Sequence, residues 1–185
     1  MLAPIIKTKR LKLRELKAVD HESMVYLLKP EIKLFATDFM PKTVDDIAPY
    51  ILKIIKSGFI SWVILKDDIL IGDISIEPEL DDKIGEMSWY LDPSYRYNGY
   101  GIESCKAVVD YMFTHTNYIR LTAQIDMKNT SSLSLAKKLG FINSLILPSK
   151  DRHGNDIDIG FFTLSKNLYK NKKQIFKKEN LLYLL

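Results

Sequence analysis

Tyr90-Leu-Asp-Pro-Ser-Tyr-Arg-Tyr-Asn-Gly-Tyr-Gly-Ile102 is the most informative segment of this 185-residue chain. A strand pattern, Ile84–Leu91, feeds a loop rich in turn formers, Asp92–Asn98. A helix is predicted to begin near Gly99 and to carry Ile102, Lys106, Val109, Tyr111 and Met112. Glycine permits positive φ and lets a ligand approach the backbone with no Cβ in the way. The N–H groups of a helix's first turn, together with its dipole, suit a phosphate or pyrophosphate. Arg96, three residues before Gly99, adds a fixed positive charge. A P-loop would need Gly-x-x-x-x-Gly-Lys-Ser/Thr, which this stretch lacks. A dinucleotide fingerprint would need Gly or Ala where Ser104 stands, and an acid about 20 residues onward, where Arg120 lies. Taken alone, the segment is a plain strand-to-helix turn with an exposed arginine.

Working outward, Arg10–Leu16 alternates apolar and polar and predicts a half-buried strand. Asp20 is read as the cap of a helix through Met24, Leu27 and Leu28 that Pro30 stops. Thr43 with Asp46 resembles a capping box ahead of an amphipathic helix through Ile47, Ile51, Ile54 and Ile55 to Gly58. Strands follow at Ile60–Lys66, Ile69–Glu77 and Ile84–Leu91. Beyond the phosphate-type loop and its helix come a strand at Ile119–Ile125 and a helix from about Ser131 to Leu139, ended by Gly140. Two last strands, Ile142–Leu147 and Ile157–Leu164, flank the turn-rich Ser149–Asn155. The order β-α-α-β-β-β-α-β-α-β-β predicts an α/β (α+β) fold, a mixed sheet with helices on both faces.

Composition is that of an ordinary globular protein, 46% apolar and 27% charged. One domain over residues 1–165 is expected, followed by a basic and apolar extension, 166–185. No stretch has the apolar length of a membrane span, and Met1–Arg14 does not read as a secretory signal. A lone cysteine, Cys105, precludes an intramolecular disulfide framework, so a cytoplasmic location is expected. The net charge of +4 comes largely from lysines beyond residue 165, so neither a nucleic-acid nor a membrane partner is expected. His21, His115 and His153 lack metal-ligand spacing, and no metal is expected. Cys105 reads as core, and Phe35, Phe39 and Trp62 as packing residues, some of them lining the acceptor pocket on the family reading below. The extension is expected to dock, on its own body or in a homodimer.

Arg96-x-x-Gly99-x-Gly101, after Leu91-Asp92-Pro93, resembles the pyrophosphate signature of the GCN5-related N-acetyltransferases (GNAT). Ile84–Gly101 is similar to the branch that acetylates ribosomal-protein N-termini, the RimJ/RimL type. A second block, Asn129-Thr-Ser-Ser132 through Ala136-Lys-Lys-Leu-Gly-Phe141, resembles the same branch, as does the opening Thr8-Lys-Arg-Leu-Lys-Leu-Arg14. The similarity runs from about residue 7 to 165. It implies a mostly antiparallel central sheet with splayed middle strands, and acetyl-CoA as co-substrate.

The resemblance also implies residue roles. Backbone N–H groups of Tyr97, Asn98, Gly99, Tyr100, Gly101 and Ile102 would hold the pyrophosphate, with Arg96 beside them. The pantetheine arm would pair with the strand at Tyr90 and Leu91, where one main-chain N–H faces the thioester oxygen. Such a donor contributes about 3 kcal/mol to transition-state stabilisation. Glu86, on the same strand face as Tyr90, would be the general base. A carboxylate of pKa ~4.3 is weak against an ammonium of ~10.4, so burial or a water relay must assist. The alternative is a surface or salt-bridged glutamate. Asn129 would bond the pantetheine arm or simply cap its helix. Ser132 would protonate the leaving thiolate or be a plain first-turn serine; Ala136 stands where many relatives have a tyrosine acid. The acceptor is expected to be an amine: a peptide N-terminus, or else a polyamine, amino acid or drug. A non-catalytic acyl-CoA-binding module is the reading from another class.

Overall fold

The structure, a computed structural model of the chain, describes residues 2–35, 39–81 and 83–171. Eight strands form one sheet in the order β1-β2-β3-β4-β5-β6-β8-β7. They are β1 Ile6–Lys7, β2 Lys12–Glu15, β3 Ile60–Lys66, β4 Ile69–Pro78, β5 Ile84–Leu91, β6 Arg120–Asp126, β7 Ile142–Lys150 and β8 Asp156–Ser165. Every pair is antiparallel except β5–β6. The helices are α1 Pro30–Lys33, α2 Ile47–Lys56, α3 Tyr100–His115 and α4 Thr130–Leu139, with a 3-10 helix at Ala18–Leu28. The mixed α/β architecture expected from the element order is therefore present.

Strand alternation divides the core in two. Trp62 and Ile64 of β3, Ile74 and Ile76 of β4 and Met87 of β5 pack on one face with Cys105, Val109, Met112 and Phe113 of α3 and Leu139 of α4. Val63 and Leu65 point the other way, onto Ile47, Ile51 and Ile54 of α2 and Met24, Tyr26 and Leu27 of the 3-10 helix. Trp62 is fully buried and its indole N–H donates to the Pro4 carbonyl at 2.9 Å. Cys105 is core, as its helical position predicts, and burial pushes its thiol up out of the reactive range.

Several local expectations need correction. The predicted strand Arg10–Leu16 is shorter: Thr8–Leu11 is a turn, closed by Thr8 N–H to the Leu11 carbonyl at 2.9 Å, and β2 starts at Lys12. Asp20 is not the cap of the first helix but its third residue. Its carboxylate accepts the Lys17 N–H at 2.8 Å and both ends of the Arg14 guanidinium at 2.8 and 2.6 Å, so the helix starts at Ala18. That helix is 3-10 in type and kinks at Met24. Pro30 opens the next turn as well as ending this one, because its fixed φ suits a first helical position. The Thr43–Asp46 pair forms, Thr43 donating from its N–H at 2.8 Å and its hydroxyl at 2.9 Å, just ahead of α2. β7 runs three residues past its predicted end, to Lys150, and β8 gains one residue at each end, Asp156 and Ser165. Residues 166–171 are helical and seat Tyr169 on α3, its hydroxyl donating to Asp110 at 2.9 Å. The expectation that the rest of the extension docks falls on residues 172–185, outside the described residues.

One buried acid lies at the centre of the sheet. Asp73 of β4, 2% exposed, accepts a hydrogen bond from the Tyr26 hydroxyl of the 3-10 helix. Burial raises its carboxyl to about 7. A folded-state value above the unfolded one means that stability is greatest below about pH 4 and declines as pH rises through 7. We therefore expect wild type to lose stability relative to Asp73→Asn between pH 5 and 8, by about 3 kcal/mol at most. Paired denaturation curves at the two pH values check this; a constant difference between the two proteins contradicts it.

Candidate functional site

β5 and β6 part company in the middle of the sheet. They pair only at Ile84↔Arg120, Gly85↔Leu121 and Glu86↔Thr122. β5 nonetheless stays on β4 as far as Gly72↔Leu91, and β6 stays on β8 as far as Asp126↔Ile159. Met87–Leu91 and Ala123–Asp126 thus line the two sides of a wedge that widens toward the strands' C-terminal ends. Peptide groups along its sides need partners from outside the sheet. Gly72 makes the close β4–β5 approach possible: a Cβ there would lie 2.4 Å from the Tyr90 carbonyl oxygen and 3.1 Å from the Leu91 Cα.

The predicted phosphate loop lies on one flank of the wedge mouth. Asp92 caps a short 3-10 turn at Pro93–Tyr95, accepting the Ser94 N–H at 2.9 Å. Lys29, at the end of the 3-10 helix 18–28, bonds the same carboxylate at 2.5 Å and the Ser94 hydroxyl at 3.0 Å. Burial would raise Asp92, but the Lys29 and Ser94 bonds outweigh it and hold the acid below the usual range. The Arg96 side chain folds back, Nε 3.4 Å from the Leu91 carbonyl. Tyr97, 96% exposed, has a left-handed backbone with φ 64°, and Gly99, at φ 78°, caps α3. Asn98 donates from Nδ2 to the Arg96 carbonyl at 3.0 Å. Tyr100, Gly101 and Ile102 form the first turn of α3.

On the other flank, β6 runs into the N-terminus of α4. Asn129 is the cap: its Oδ1 accepts the Ser132 N–H at 3.1 Å. The half-buried Ser132 follows in the first turn, while Ala136 is fully buried beneath the helix. An ideal Cβ on Gly101 would lie 3.7 Å from Leu135, so α3 and α4 meet at the wedge mouth.

Glu86 sits at the wedge apex, in the last register pair before the strands separate. It is half-buried and accepts the Gln124 side-chain amide at 2.8 Å. Burial raises its carboxyl; the Gln124 bond partly offsets this, and Glu77 and Glu79 add like-charge repulsion. Glu77 is its register partner on β4, and Glu79 accepts from the Thr122 hydroxyl at 2.6 Å. The salt-bridged alternative for Glu86 is not met among the described residues. By alternation Glu86, Ser88 and Tyr90 share the face that carries Asp73, Ser75 and Glu77, the α2 side. Trp62 points to the opposite face, so it does not line this one; Phe39 does lie on the α2 side, edge-on to Tyr50 at 5.3 Å.

The structure thus gathers Tyr90, Leu91, Arg96–Ile102, Asn129 and Ser132 around the mouth and sets Glu86 apart at the apex. Reading the sequence overlooked Gln124, Glu77, Glu79 and Asp73. Gln124, Glu77 and Asp73 sit on strands other than β5 and Glu79 just beyond the end of β4, and no local pattern announces that they meet.

A family model described as an acetyltransferase (GNAT) domain matches residues 10–142. The chain belongs to that family, and the class of enzyme defined by family and fold is an N-acetyltransferase. The uncharacterized N-acetyltransferase YnaD of Bacillus subtilis is 34% identical over 79 residues, 42% of this chain and 46% of that protein. The uncharacterized N-acetyltransferase p20 of Bacillus licheniformis is 25% identical over 88% of this chain and 96% of its own length. The chain thus spans less than half of YnaD and nearly all of p20. Among solved structures, a GNAT-family acetyltransferase from Bacillus anthracis superposes with TM-score 0.78 at 21% identity, covering 88% of this chain and 99% of that one. RimL, a ribosomal L7/L12 alpha-N-protein acetyltransferase solved with coenzyme A, gives 0.77 at 15%, over 87% and 97%. A chimera of the spermidine N-acetyltransferase SpeG from Vibrio cholerae gives 0.73 at 19%, over 88% and 99%. These structural likenesses are of fold.

The two loop glycines differ in what the protein itself demands of them. Gly99 needs its left-handed backbone, whereas Gly101 has a helical φ and room for a methyl group. Gly99→Ala should cost about 1 kcal/mol of stability, and Gly101→Ala should cost none. Urea unfolding of both variants checks this; equal losses would contradict it.

Proposed function

We propose that this chain transfers an acetyl group from acetyl-CoA to a primary amine, with a protein or peptide N-terminus as the foremost acceptor. The observation that carries the reading is the β5–β6 wedge. A chain that is itself amide-rich and strand-like, as pantetheine is, matches the unpaired peptide edge of Met87–Leu91. The pyrophosphate then falls at the wedge mouth, where Tyr97–Ile102 bring a turn of backbone, a helix N-terminus and Arg96 together. The residues present fit the donor. The choice of a protein N-terminus draws on the RimJ/RimL-type pattern of Ile84–Gly101 and Asn129–Phe141.

In this reading a main-chain N–H at Tyr90 or Leu91 faces the thioester oxygen and stabilises the charge that develops there. Glu86 removes the proton of the ammonium, through water given its place at the apex. Burial and the neighbouring Glu77 and Glu79 make it a better base than a free glutamate, while Gln124 fixes its orientation. Ser132 lies near the sulfur as proton donor, since Ala136 offers no hydroxyl. Asn129 keeps its cap through Oδ1 and turns Nδ2 to the pantetheine arm.

A second acceptor class is favoured by one observation. Glu77, Glu79 and Glu86 bring three carboxylates together on the acceptor side, which suits an amine carrying further positive charge, such as a polyamine.

Glu86→Gln should lower kcat about 100-fold and abolish the acid limb of the pH–rate profile, with little change in coenzyme A affinity. Arg96→Ala should instead weaken coenzyme A binding. Free-thiol release from acetyl-CoA over a panel of peptides, polyamines and amino acids measures both effects and ranks the acceptors. Weak thiol release with every amine tested, alongside tight coenzyme A binding, would leave only a binding module.

A further inference from the structure

Arg10 lies far from the phosphate loop in sequence yet touches it at three points. Its Nε donates to Glu103 Oε2 at 2.7 Å, its backbone N–H to Oε1 at 2.9 Å, and its Nη1 to the Asn98 carbonyl at 2.9 Å. The guanidinium lies 4.6 Å from the centre of the Tyr100 ring, and an ideal Cβ on Gly99 would stand 3.3 Å from Nη2. Thr8, two residues before, adds a hydroxyl bond to Glu103 Oε1 at 2.6 Å. The β1–β2 turn thus clasps the first turn of α3 and the loop that leads into it.

The bond to Asn98 has a directional effect. A trans peptide holds its C=O and the next N–H antiparallel in one plane, and no cis peptide occurs among the described residues. Pinning the Asn98 carbonyl onto Arg10 therefore aims the Gly99 N–H away from Arg10. The left-handed backbone at Tyr97 is strained for a side chain of that type and needs its surroundings to hold it. An arginine is suited to this because its planar fork can serve a carboxylate, a carbonyl and a ring face at once; a lysine can serve only part of that set.

We infer that Arg10 is a positioning residue for the donor site: by gripping Asn98 and Glu103 it sets the loop Tyr97–Gly101 in its phosphate-binding shape before any ligand arrives. This rests on the assignment of that loop to the coenzyme A pyrophosphate. It leaves the acceptor side alone, so the effect of losing Arg10 falls on donor affinity and on KM for acetyl-CoA.

The test is calorimetric titration of coenzyme A into the full chain as wild type, Arg10→Ala, Arg10→Lys and Gly101→Ala, with thermal melts of each and KM and kcat for both substrates. Arg10→Ala should raise the dissociation constant and the acetyl-CoA KM about tenfold, with acceptor KM and saturated kcat within twofold. Arg10→Lys, which keeps the charge but not the fork, should recover only part of that loss. Wild-type affinity in Arg10→Lys would overturn the inference in favour of simple charge attraction. If Gly101→Ala weakens binding while Arg10→Ala does not, the positioning role is wrong and the loop assignment stands. If wild type fails to bind coenzyme A, or neither variant weakens it, the loop assignment itself is wrong.

Discussion

The structure is organised by the separation of two neighbouring strands. A sheet normally satisfies its own peptide groups, and a break at its centre leaves hydrogen-bonding capacity that hydrocarbon cannot meet. Here β5 keeps its full ladder to β4 and β6 its full ladder to β8, so each strand is firmly held on one side only. The split begins immediately after the Glu86↔Thr122 pair, which fixes where the wedge narrows. Both flanking helices are the next α-helices after these strands, α3 after the loop 92–99 and α4 after the turn 127–129, so their N-termini lie toward the open end. Gly72 lets the last residues of β5 lie close against β4 at the open end.

The two faces of the sheet then take on different work. The α3 and α4 side is almost wholly apolar around Trp62, Ile74, Ile76 and Met87. The α2 side carries a polar lane across β3, β4 and β5: Ser61 bonded to Ser75 at 2.8 Å, Asp73 bonded to Tyr26, and Glu86 beside Glu77. Burial acts on the acids of this lane in one direction, toward the proton-bound form. A face that raises carboxyl groups in this way is matched to chemistry in which a proton must leave an ammonium near neutral pH.

Much of this was legible in the residues themselves. β3 and β5 begin and end where their apolar runs do, and Gly99 and Gly140 stand as a left-handed cap at the start of α3 and at the end of α4. The 3-10 helix was harder to read: Val19 and Val25 are exposed, so its apolar residues do not mark one α-helical stripe. The ends of β7 and β8 are polar and extend through cross-strand pairing, with Lys150 and Asp156 ion-paired across the ladder, which composition does not report. The loop and its arginine announce themselves locally. The groups around Glu86 do not, because Gln124 is 38 positions away and reaches it only once β5 and β6 are in parallel register. The Arg10–Glu103 contact spans 93 positions and is invisible for the same reason.

The ion pair between Lys29 and Asp92 joins the helical layer on the α2 side of the sheet to the start of the loop that leads into α3. On the proposed assignment, one linkage touches both substrate sites. Any free energy that one substrate contributes to ordering this bridge lowers what the other must contribute, and thermodynamic reciprocity makes the benefit equal in both directions.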